Sequence, residues 1–70
     1  MAPIPGISHL RAVRALEKAG FRVVREGKHI IMFNGGRFLT IPRANPINAY
    51  TMAGIVKDAG LTAEAFLELL

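Results

Sequence analysis

Apolar residues recur at helical spacing after Ser8, with Ala12, Val13, Leu16 and Ala19 on one stripe. That spacing predicts an amphipathic helix starting at His9, its stripe turned to a core. Ser8 is placed to cap it with its hydroxyl, and Gly20 to stop it, because glycine enters the left-handed conformation cheaply. Arg11, Arg14 and Lys18 share a neighbouring, solvated stripe. The pattern then shortens to period two. Phe21 to Arg25, His29 to Phe33 and Arg37 to Ile41 are rich in β-branched and aromatic residues and predict three strands. Glu26-Gly27-Lys28 forms the first turn. Asn34-Gly35-Gly36-Arg37 forms a two-residue hairpin loop in which the glycines take positive φ. In that register Ile30, Met32, Leu39 and Ile41 share the face that packs on helices. His29, Ile31, Phe33 and Phe38 share the other. A slip of one residue would exchange the two faces.

Pro42 ends the third strand, and a loop through Pro46 leads to a helix from about Ala49 to Ala59. Met52, Ile55, Val56 and Ala59 are its buried stripe. Gly60 stops it, Thr62 caps a short last helix, and Leu61 and Phe66 occupy the two positions of a hydrophobic staple. The expected fold is α+β: a small α-β-β-β-α domain with a three-stranded antiparallel sheet, helices on one face and a short C-terminal helix. One domain spans residues 1–70, with 1–7 as an N-terminal extension.

Composition narrows the function classes. Seventy residues with 51% hydrophobic content suffice for one core and argue against disorder. There is no cysteine, hence no disulfide framework and no thiolate metal site. No signal peptide and no membrane-length apolar run is seen, and the expected location is the cytoplasm. The net charge of +4 favours a polyanion or an acidic protein partner. Two histidines and five carboxylates converge at no ligand spacing, so no metal site is expected. The second helix carries almost no base-reading side chains, which argues against a DNA recognition helix. His9, in the first turn of a helix, is expected to be a surface residue.

One histidine falls among cations. Arg25 and Lys28 flank His29 at the mouth of the first hairpin. A histidine can move protons near neutral pH and nearby cations attract phosphate, so the pairing suggests chemistry on nucleic acid, against the plainer reading of a half-exposed, chemically idle strand histidine. Arg25 and Lys28 can neutralise a phosphate as its charge builds. Arg11, Arg14, Arg37 and Arg43 extend the basic surface as further candidate phosphate ligands. Phe33 and Phe38, on the open sheet face, can stack on unpaired bases or lie beneath a bound protein. The protein contact is the preferred expectation.

Several short segments resemble the HicA family of small mRNA interferase toxins. Leu16-Glu17-Lys18-Ala19-Gly20-Phe21 is similar to the family's helix end and first strand start. Val24-Arg25, Gly27 and His29 follow its first-hairpin signature, which closes on Gly-Ser-His. Thr40-Ile41-Pro42, Thr51-Met52, Ile55, Asp58-Ala59-Gly60-Leu61 and Phe66 follow in the family's order. The resemblance spans roughly residues 8 to 70. It implies a double-stranded RNA-binding-like fold, metal-independent RNA cleavage without a cofactor, and His29 as the catalytic residue. It also implies neutralisation by a HicB-type antitoxin, with the toxin a monomer alone or part of a hetero-oligomer. The chain departs from the family at Lys28, where serine is usual, and at Ala44, where many members carry a second histidine. The acid for the leaving 5′-oxygen must then be water, Lys28, Arg43 or His29 itself. A catalytically inactive RNA-binding module and a protein-interaction domain of the same fold stand as alternatives.

Overall fold

The computed structural model describes Ile4 and residues 6–70. The element order is α1 (His9–Lys18), β1 (Arg22–Glu26), β2 (His29–Phe33), β3 (Phe38–Pro42), α2 (Ala49–Asp58) and α3 (Ala63–Leu69). The sheet is antiparallel in the order β1-β2-β3. Its architecture is the expected α+β one. The first and third strands each sit one residue later than the sequence pattern indicates. Phe21 is instead a buried residue just ahead of β1.

Each helix begins on a side-chain cap. Ser8 Oγ accepts from the Arg11 amide, Asn48 Oδ1 from Tyr50, and Thr62 Oγ1 from Ala65. These bonds satisfy amides that the helix itself leaves without partners. Helix α1 buries Ala12, Ala15 and Leu16, with Val13 and Ala19 only partly covered. Its stripe is therefore centred on Ala15 rather than Val13. Helix α2 buries Met52, Ile55 and Val56, and Ala59 follows at its end, as the periodicity predicts.

Register decides what the sheet offers to each side. Ile30 pairs with Ile41, and Met32 with Leu39. All four are buried and meet the helices in a single core that also holds Leu16, Met52 and Phe66. His29, Phe38 and Thr40 on the other face are exposed, and Ile31 and Phe33 are half-buried. At the β2–β3 turn only Gly35 has positive φ, at +98°, and Gly36 does not. The expected pair of left-handed glycines is thus a single one, and the Arg37 amide is held by Asn34 Oδ1 at 2.7 Å.

Residues 1–3 and Pro5, most of the segment expected as an extension, lie outside the described residues. Ile7 at its end is a core residue. It forms an antiparallel bridge with Ile47, whose amide donates to the Ile7 carbonyl at 2.7 Å. No helix among the described residues is long and apolar enough to cross a membrane.

Candidate active site

A β-bulge brings the cations to the histidine. In β1, Arg22 pairs with Phe33 and Val23 with Met32, but the next pair is Arg25 with Ile31. Val24 is the extra residue. Strict alternation would have put Arg25 on the same face as Val23, toward the helices. The bulge resets the phase, and Arg22 and Arg25 both come to lie on the open face, across from Phe33 and Ile31. The insertion costs Val24 its cover: it is 46% exposed.

His29 opens β2 directly after the two-residue connection Gly27-Lys28, and its Cα partner on β3 is Pro42. Arg25, Gly27, Lys28, His29 and Ile31 line a solvent-facing pocket of about 310 Å³. Besides His29 its lining holds two cations, Arg25 and Lys28, and no carboxylate. The arrangement suits an anion with a hydroxyl beside it, because cations stabilise the negative charge while an imidazole moves the proton.

Arg43 lies at the same end of the sheet with a different contact. Its Nε donates to the Gly27 carbonyl at 2.7 Å, and the Gly27 amide donates to the His29 carbonyl at 3.1 Å. The first is a short, charge-assisted bond that ties the end of β3 to the β1–β2 turn, across the start of β2. It holds the segment that carries Lys28 and His29.

Arg37 and the helical arginines are elsewhere. Arg37 Nη1 donates to the Asp58 carbonyl at 3.0 Å, and its guanidinium packs over Gly60, whose φ is +77°. It caps the end of α2, and its backbone partner Asn34 is five sheet residues, about 17 Å, from the level of His29. Arg11, Arg14 and Lys18 do share a face, as expected. That face lines a groove with Leu69 and Leu70 in the helical layer, and Lys18 Nζ donates to the Leu69 carbonyl. The sheet separates this groove from His29.

His9, expected at the surface, is half-buried and works on the loop after β3. Its amide donates to the Ala44 carbonyl at 3.1 Å, and its Nδ1–H donates to the same oxygen at 3.2 Å. Ala44 itself packs against the core.

Phe33 and Phe38 stack across β2 and β3, with ring centroids 4.2 Å apart and planes 24° from parallel. Arg22, which sequence reasoning did not single out, completes their row on the β1 side.

No curated protein and no solved structure matches the chain. The family model described as the HicA toxin of bacterial toxin-antitoxin systems matches residues 11–61, which is well over half of the sequence and includes the whole sheet and α2. A cation-flanked histidine on an open sheet and a family match across the elements that build it lead to one assignment: the chain belongs to the HicA toxin family.

Proposed function

We propose that the protein is a metal-independent endoribonuclease that cleaves mRNA with His29 as general base. The observation that carries this reading is the open pocket shared by His29, Arg25 and Lys28. In the reaction, a neutral His29 imidazole takes the proton from a ribose 2′-hydroxyl. The freed 2′-oxygen attacks the adjacent phosphorus, and the bond from phosphorus to the 5′-oxygen breaks. The products are a 2′,3′-cyclic phosphate and a 5′-hydroxyl end. Arg25 and Lys28 offset the charge that builds on the phosphate oxygens. An arginine does not give up its proton in a protein, so Arg43 drops out as the acid. Lys28, water or the His29 imidazolium protonates the leaving oxygen.

Phosphate binding beyond the pocket falls first to Arg43, whose terminal nitrogens are near the turn, and only remotely to Arg11, Arg14 and Arg37. A HicB-type antitoxin neutralises the protein by covering the open sheet face. Phe33 and Phe38 are its apolar contacts, and Phe38 is 67% exposed. Occlusion of this face removes the His29 pocket from RNA.

The test is cleavage of RNA by the purified protein in chelator-containing buffer. Activity is expected from the parent and not from His29→Ala; equal cleavage by both removes His29 from the mechanism. Ala44 favours a second reading, an RNA-binding module without turnover, because the loop beside the pocket offers a methyl group held against the core rather than a second imidazole. Intact RNA after long incubation, with affinity that falls steeply with salt, selects that reading.

A further inference from the structure

The register sets Arg22, Phe33 and Phe38 in one row across the open face, with Arg25, Ile31 and Thr40 in the next row and His29 beside Pro42 in the third. Arg22, Phe33, Asn34, Gly35 and Gly20 enclose a shallow pocket of about 180 Å³ next to the stacked rings. Asn34 Oδ1 accepts from the amides of Gly36 at 2.9 Å and Arg37 at 2.7 Å. Its oxygen is thus committed to the turn, and its amide N–H groups remain as donors. The Arg22 guanidinium is a donor only.

We propose that the Arg22–Phe33–Phe38 row is a subsite for one unpaired RNA base, on a strand whose backbone runs along β1 to the His29 pocket. This rests on the reading of RNA as the ligand of that pocket. Three properties converge on a nucleobase. Phe33 lines the pocket and Phe38 stacks on it from the β3 side, so the pocket holds an aromatic wall on which any base can stack, and such stacking is tolerant of sequence. Arg22 and Asn34 offer donors to a base edge that carries acceptors, such as the O6 and N7 of guanine. Along the same edge Arg22, Arg25 and Lys28 form a line of positive charge that matches the phosphates of a strand passing over it. A purely apolar protein surface would bury the Arg22 and Asn34 donors without acceptors, which is costly.

The spacing is that of a substrate longer than one nucleotide. Row one and His29 are four strand residues apart, about 13 Å. At the stacked rise of about 3.4 Å per nucleotide this is about four nucleotides, and an extended strand covers it in fewer. The subsite therefore reads a base within about four nucleotides of the scissile phosphate.

Binding separates this inference from the cleavage reading. The 70-residue chain with His29→Ala is titrated into a labelled single-stranded oligoribonucleotide and followed by fluorescence anisotropy. Adding Phe33→Ala, which removes the ring that lines this pocket, is expected to weaken binding about 5- to 150-fold, the loss typical of an aromatic under a base, while Phe33→Tyr restores it. Circular dichroism confirms the fold of each variant. Removing a single base within about four nucleotides of the cleavage position costs the same factor, and costs nothing more in Phe33→Ala. Unchanged affinity in Phe33→Ala overturns the subsite and leaves the row with the antitoxin contact alone. Absence of RNA binding by the parent overturns both the subsite and the RNA reading. Tight, ring-dependent binding by a parent that never cleaves supports the subsite and sinks only the nuclease.

Discussion

Arg43 offers the sharpest test of how this site is built, because sequence and geometry give it different work. As a cation on a loop it reads as a phosphate ligand; in the structure its Nε is bonded to the Gly27 carbonyl at 2.7 Å. A hydrogen bond from a charged donor contributes about 1.5–3 kcal/mol. Arg43 is exposed, and competition with water brings the net closer to about 1 kcal/mol. Loss of about 1 kcal/mol raises the population of a detached turn about 5-fold. The Gly27 amide reports that detachment, since it donates to the His29 carbonyl within the same turn. Amide hydrogen exchange by NMR should therefore be about 5-fold faster at Gly27 in Arg43→Ala, with the β2–β3 ladder unchanged.

Arg43→Lys separates position from charge. Lysine keeps the cation but lacks the guanidinium Nε that reaches Gly27, so its exchange should follow alanine. Its RNA affinity should stay close to that of the parent. If Gly27 exchange is unmoved in Arg43→Ala, while RNA affinity falls and the log–log salt slope drops by about 0.7, Arg43 is a phosphate ligand and the tether is incidental.

Two further outcomes test the rest of the frame. Arg37→Ala removes the cap on the α2 carbonyls and should lower the urea midpoint, by about 1 kcal/mol of stability, with RNA affinity and salt slope unchanged; a clear fall in affinity would return Arg37 to the nucleic-acid surface. Phe66→Ala empties the largest fully buried side chain and should cost about 3–5 kcal/mol, comparable to the whole stability of a domain this size at about 0.05–0.15 kcal/mol per residue, so thermal unfolding should shift to the point where the native state is barely populated.

The core was legible because it depends on periodicity. Leu16, Ile30, Met32, Leu39, Ile41, Met52, Ile55 and Phe66 all stand where helical or strand spacing put them, and Ser8 and Thr62 cap as their hydroxyls allow. Local chemistry fixes each of these positions within a few residues of itself. Ile7 escaped for the opposite reason. It is a lone apolar residue outside any periodic run, and its burial depends on a bridge to Ile47 forty residues away.

The site was legible only in part, and the bulge explains why. His29 and its face follow from β2 alone. Arg22 and Arg25 do not, because period-two reading assigns odd and even positions of β1 to opposite faces and assumes no extra residue. Nothing in Arg22-Val23-Val24-Arg25 marks which valine is surplus. That choice is made by the partner strand, where Met32 must stay in the core and Ile31 must face away from it. Once β2 is fixed by its four-way apolar match with β3, β1 can put Val23 on Met32 and Arg25 beside His29 only by expelling Val24. Lys28 stands in the turn next to His29 whatever the phase of β1, whereas the facing of Arg25 onto the open side is a consequence of core packing on the far side of the sheet. Sequence reasoning that treats each strand separately cannot reach it, and a deletion of Val24 that leaves Arg25 opposite Ile31 would keep the charge while removing the bend. The function of the bulge is to be sought in the twist it gives the β1 edge, along which a strand of RNA would have to run.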